Sequence, residues 1–387
     1  MAETVRVLFV SGSPGGGSAR STVELASRLV ERGHVSGVLS VTRGPAPVKS
    51  LHERAVDASA RVAGTPLAAP VAALTARLGR RLLPLPEADG VACWSAHVPE
   101  NALDALLASF RPDVVVASSL DRPAWRTIRS KVAAAGAASV LYLREESATR
   151  HLSDPPAPPD VLVANAAIHA ERAAALGHTA VVVPSVVELD RCLVETTRER
   201  VLFVNPIAIS GVDIAFAVAA ALPHVPFTFA ESWVLTDAEH DDLAHRAAAL
   251  PNVELRRPVA DPRELYADVR LLFAPYLTNG RPRVVLEAQA NGIPVLATDL
   301  PGLHEGVGPG GRVLPPDAAV TEWTEALEEM LAPAHYDELV VAARAHARRD
   351  DVDPAGLAAR FEAVLERACA IASASAAVTP TDGGGRA

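Results

Sequence analysis

The sequence predicts an α/β protein built from two doubly wound parallel sheets in tandem, and three observations carry that expectation. Short Val- and Leu-rich runs recur at 5–10, 114–117, 140–143, 161–165 and 180–184, each followed by a loop and then helix-like sequence. After a polar stretch at 195–200 the alternation restarts at 201–204 and continues through 227–230, 253–255, 271–274 and 295–298. A chain of 387 residues is also long enough to bury two separate cores.

Composition narrows the function classes. With 49% hydrophobic and 21% charged residues the chain reads as globular, and 4% aromatics leave Val, Leu and Ala to fill the cores. A net charge of −10, with Lys49 and Lys131 the only lysines, argues against nucleic-acid binding. Cys93, Cys192 and Cys369 are odd in number and far apart, matching neither a disulfide framework nor a zinc spacing. The apolar run 5–10 is too short for a signal-peptide core or a membrane span. The expected compartment is the cytoplasm; membrane association is conceivable but not expected.

Taken in order, the first strand ends in Ser11-Gly12-Ser13-Pro14-Gly15-Gly16-Gly17, and a helix follows from about 18 to 32, closing at Gly33. Gly15, Gly16 and Gly17 would let an anionic ligand approach the backbone at a helix N-terminus, although a tight turn with no ligand is the competing reading. The stretch 45–95 is the least decipherable. Within it 74–83 sets Arg77, Arg80 and Arg81 among leucines, a pattern best explained as a solvated surface helix. Strands 114–117 and 140–143 end in Ser118-Ser119 and Arg144-Glu145-Glu146, which share one crevice if the sheet is parallel.

The most informative stretch is 271–311. Strand 271–274 stops at Pro275, a polar loop spans 276–281, and Pro282 opens a helix at the first helical position. Gly292 and Pro294 end it, and strand 295–298 follows. Arg283, Glu287 and Asn291 recur at four-residue spacing and so share one helical face. That face could be a solvated stripe. Alternatively Arg281 and Arg283, beside a helix N-terminus at the carboxyl end of a strand, make an anion site. No metal cluster stands out: Asp351-Val352-Asp353 precedes Pro354 and reads as a helix cap, and His240 and His245 match no zinc motif.

This segment resembles the donor-binding motif of the family-four retaining glycosyltransferases, which have the GT-B fold. Glu287, Ala288, Gly292, Pro294, Val295, Gly302 and Glu305 fall where that family expects them, with Pro301 replacing the first glycine of a Gly-Gly turn. The resemblance implies that Glu287 holds the donor ribose and that Asn279 and Gly280 meet the sugar, Asn279 in place of the family's first glutamate. It implies donor contacts from Gly15, Gly16, Gly17, Ser210 and Glu231, the last within a Glu231-Ser232-Trp233 triplet shared with one branch of the family. Arg144 and His151 are the implied acceptor-facing residues, with Glu145 beside them. The family's usual Arg and Lys after the strand 201–204 are missing from Val204-Asn205-Pro206-Ile207-Ala208-Ile209-Ser210-Gly211. Arg281 and Arg283 are left to hold the diphosphate.

The expected layout is therefore an acceptor-binding domain over 1–190 and a nucleotide-sugar domain over 201–356. A helix over 357–372 crosses back to the first domain, and 373–387 forms a disordered tail. The expected activity is sugar transfer from a nucleotide diphosphate sugar to a small-molecule acceptor with retention. Arg281, Arg283, Asn279 and Glu145 are the catalytic candidates, and neither cofactor nor metal is expected. The alternative is a catalytically silent relative serving as a binding or regulatory subunit.

Overall fold

The computed structural model describes residues 3–13, 15–42, 51–153, 157–232 and 235–378. Trp233 and the tail from 379 lie outside them. The first sheet contains β1 (Arg6–Ser11), β2 (Val35–Val41), β3 (Leu83–Ala88), β4 (Val91–Ala96), β5 (Val114–Ser118), β6 (Ala138–Leu143), β7 (Val161–Ala164) and β8 (Ala180–Val182). Their order is β3-β4-β2-β1-β5-β6-β7-β8, and every pairing is parallel except that of β3 with β4. The second sheet contains β9 (Arg200–Val204), β10 (Phe227–Ala230), β11 (Val253–Arg256), β12 (Val269–Ala274), β13 (Val295–Thr298) and β14 (Gly311–Leu314). It is parallel throughout, in the order β11-β10-β9-β12-β13-β14.

Parallel strands covered by helices on both faces need apolar side chains at nearly every position. That is why β5 and β6 are buried along their whole length. Strand order reverses beside β1 in one sheet and beside β9 in the other, and open α/β sheets bind ligands beyond such reversals. Both reversals are pinched by a glycine. A Cβ on Gly12 would lie 1.9 Å from the Ser119 carbonyl oxygen, and one on Gly211 would lie 2.1 Å from that of Pro275. Gly211 also has φ +76°, so it answers two constraints at once.

The C-terminal helix, Pro354–Val378, returns to the first sheet. Leu357, Phe361, Val364, Leu365 and Ala368 are buried with Val7, Phe9, Val114, Val140 and Tyr142. Phe361 sits 6.0 Å from the Phe9 ring and 5.9 Å from the Tyr142 ring. Burying such a ring contributes about 2–3 kcal/mol. Asp353 caps the helix by accepting from the Gly356 N–H at 2.7 Å, as its place before Pro354 suggested.

Several sequence expectations need correction. The first helix spans Gly16–Glu31, so Gly16 and Gly17 belong to its first turn and not to the loop before it. The segment 74–83 is not one helix: a helix ends at Gly79 and β3 begins at Leu83. Residues 373–378 continue the C-terminal helix, which overturns a disordered tail beginning at 373. All three cysteines are free thiols.

Candidate functional site

The site forms where the first helix, Gly16–Glu31, meets the motif helix, Arg283–Ala290. Pro282, extended at φ −67° and ψ 129°, is the residue before that helix and not its first member. The short helix that follows β13, Pro301–Val307, packs against the loop leading in: a Cβ on Gly302 would fall 2.4 Å from the Gly280 carbonyl oxygen. Across the cleft, a Cβ on Gly17 would fall 2.9 Å from Cδ of Arg283. The glycine-rich helix start therefore admits the stem of an arginine from the other half of the chain.

Arg283 is buried and fully engaged. Its Nε donates to Glu287 at 2.6 Å, Nη1 donates to the Ser21 hydroxyl at 2.9 Å, and Nη1 and Nη2 donate to the two Glu24 oxygens at 3.0 Å each. Burial alone would lower its pKa, but Glu287 and Glu24 raise it well above the usual arginine value. Glu287 also accepts from the Tyr266 hydroxyl at 2.6 Å. Burial and the Glu287 charge push that phenol far up and keep it a donor. Asn291, the third residue of the stripe, donates to the Cys192 carbonyl at 3.1 Å. The solvated-stripe reading of this face is overturned, because all three residues are buried.

The Arg281 side chain is largely covered as well, donating to Glu305 at 2.9 Å and to Asp351 at 3.1 Å. A cavity of about 30 Å³ lies between these arginines and the segment after β8, lined by Pro184, Ser185, Arg281, Arg283, Leu303 and Arg349. It has room for one water molecule.

The first sheet contributes Arg144 at the end of β6, also buried. Its guanidinium lies 4.3 Å over the Tyr142 ring and makes only long contacts, 3.4 Å to the Ser18 carbonyl and 3.5 Å to the Ser185 hydroxyl. Among the described residues its Nε has no partner and no carboxylate pairs with it. Burial lowers its pKa, and the nearby Arg283 lowers it further. Asn165 donates to the Arg144 carbonyl at 3.2 Å, while its own buried Oδ1 and both ring nitrogens of His169 have no partner among the described residues.

The remaining candidates are distributed unevenly. Asn279 reaches across to Glu146 at 3.3 Å, and its buried Oδ1 has no partner among the described residues. Glu145 is solvent-exposed, although the protein atoms crowding it raise its carboxyl above the usual value. Gly15 precedes the first helix and Gly280 precedes the motif helix. Ser210 is buried next to the loop after β12, where the Leu277 N–H donates to the Ile209 carbonyl at 2.9 Å. Among the described residues Glu231 shares no hydrogen bond or ion pair with Arg283, Glu24 or Glu287; its buried carboxylate pairs with His240 and Arg257. His151 is buried near Asp121 and Arg122, and burial lowers its pKa. Sequence reasoning missed Ser21, Glu24 and Tyr266. Glu24 did carry a signal, a lone carboxylate amid Val23, Leu25 and Ala26 on an amphipathic helix.

Two facing α/β sheets with a returning C-terminal helix define the GT-B fold, and solved structures agree. The structure of Anabaena HepE in complex with UDP-glucose superposes with TM-score 0.68 at 15% identity, covering 94% of this chain and 99% of that one. The catalytic domain of starch synthase IV from Arabidopsis thaliana, bound to ADP and acarbose, gives 0.64 at 11% identity over 95% and 100%. Residues 198–333, which hold the second sheet and its helices, match the family model of glycosyl transferases group 1. A D-inositol 3-phosphate glycosyltransferase of Gordonia bronchialis is 40% identical over 113 residues, which is 28% of this chain and 24% of that protein. The match therefore spans about a quarter of the length of that relative. Among the described residues no helix is long and apolar enough to cross a membrane.

Proposed function

We propose that this protein is a glycosyltransferase that moves a sugar from a nucleotide diphosphate sugar to a small-molecule acceptor with retention of configuration. The observation that carries this reading is the meeting of two helix N-terminal segments at one point of the cleft. The glycine-rich start of the first helix lies against Arg283, with Glu287 buried one turn further along the motif helix. Free N–H groups at helix starts and an arginine fork suit a diphosphate.

In this mechanism Glu287 accepts from the ribose hydroxyls, with Tyr266 fixing its carboxylate. The bond from the sugar's anomeric carbon to phosphate breaks with its electron pair staying on the diphosphate. Arg283 and the helix N–H groups stabilise that developing charge. The acceptor oxygen bonds the same face of the sugar, and its proton passes to the departing phosphate oxygen. Asn279 borders the sugar, while Arg144, Asn165 and His169 supply unpaired polar atoms for the acceptor. UDP-glucose bound to HepE and ADP bound to starch synthase IV support a nucleotide diphosphate as the donor class.

A second reading, a catalytically silent binding subunit, is favoured by one observation: Arg281 and Arg283 are already matched by Glu24, Glu287, Glu305 and Asp351. A thermal-shift screen against UDP-, ADP- and GDP-glucose, followed by an assay for released nucleoside diphosphate, separates the two. Transfer predicts stabilisation by one donor together with slow release of its diphosphate. Stabilisation without release from any donor supports the silent subunit.

A further inference from the structure

Arg283 bridges two carboxylates that belong to different halves of the molecule. Its Nε bonds Glu287 within the same helix, an i,i+4 pair that survives any relative movement of the two halves. Its Nη1 and Nη2, the outer edge of the fork, face Ser21 and Glu24 on the first helix. Two parallel N–H donors about 3 Å from two carboxylate oxygens also fit a phosphate edge on. Glu24 thus holds on Arg283 the place that a diphosphate oxygen pair would take.

Among the described residues, Arg281 and Arg349, the second-half arginines that line the same cavity as Arg283, are already paired with carboxylates. The loop 205–211 after β9 contains no Lys or Arg. Arg281 is committed to Glu305 and Asp351. Glu24 has a further donor, because its Oε2, which accepts from Arg283 Nη1, also accepts from the Glu188 N–H at 3.3 Å. Glu188 in turn takes two hydrogen bonds from Arg28 on the first helix. First helix, connecting segment and motif helix are thereby joined through one buried carboxylate.

We propose that Glu24 is a positioning residue that competes internally with the donor's diphosphate for Arg283. Diphosphate binding then displaces the Glu24 carboxylate from Arg283 while the two helix starts stay together, and loss of the diphosphate lets Glu24 close the clasp again. The inference rests on the donor reading above. It adds that the bound and clasped states exclude each other, so weakening the clasp strengthens binding.

The test is calorimetric titration of UDP, ADP and GDP, and of the matching nucleosides, into wild type, Glu24→Gln and Ser21→Ala. Glu24→Gln keeps the shape and removes the charge. It should tighten the preferred diphosphate about tenfold, leaving the nucleoside unchanged, since the nucleoside makes no demand on Arg283. Ser21→Ala removes a single hydrogen bond and should act in the same direction by about threefold, deciding the matter if Glu24→Gln does not fold. Diphosphate affinity that stays level or falls in the variants overturns the clasp while the donor reading stands. If no diphosphate binds wild type or either variant, the donor reading fails and the clasp with it.

Discussion

Arg283 and Arg144 are both buried at the cleft, one on each side, and they differ in what surrounds them. Arg283 has two carboxylates and a hydroxyl within hydrogen-bond distance, whereas Arg144 has an aromatic face and two long contacts to neutral oxygens. A buried charge with matched partners is part of the architecture, and removing one partner strands the others. A buried cation without a counter-ion is disfavoured by its own environment, as the lowered pKa of Arg144 reflects. The motif-helix side of the cleft has its charge satisfied. The first-sheet side is built with charge to spare, which is what an acceptor carrying an anion or several hydroxyls would use.

Substitutions at these two positions should therefore behave in opposite ways. Arg283→Ala leaves Glu24 and Glu287 buried without their cation, and denaturant unfolding should show a loss of about 3–5 kcal/mol. A loss below about 1 kcal/mol would mean that the cluster is solvated and the contrast is false. Arg144→Leu removes a charge that has no counter-ion, so its stability should remain within about 1 kcal/mol of wild type or exceed it, while sugar transfer falls. A loss on the scale of Arg283→Ala would give Arg144 a structural role and erase the distinction.

How much of this was legible depends on the range of the signal. The strands at 227–230 and 295–298 have the bounds their sequence suggests, because an apolar run between turn residues is a local pattern. Gly292, with φ +70°, ends the motif helix as its place before Pro294 implied. The first sheet was harder. β3 and β4 pair antiparallel at its edge, and β3 is mostly exposed, so it lacks the apolar run that marks a buried strand. Within the site, the face shared by Arg283 and Glu287 could be read from their spacing, but their burial could not. It depends on Glu24 and Ser21, which lie 259 and 262 residues away in sequence. Glu231 shows the converse: its position in the motif was legible, yet His240 and Arg257 occupy it.

The central claim is that this cleft binds a nucleoside diphosphate through the motif helix, and Glu287 tests it most directly. Calorimetry should compare wild type with Glu287→Gln, a change that keeps the side chain's shape and its contact with Tyr266. The account predicts that wild type binds one nucleoside diphosphate and that the variant loses roughly 1–3 kcal/mol of that affinity, the value of a hydrogen bond to a charged group. Equal affinity in the two proteins would contradict it.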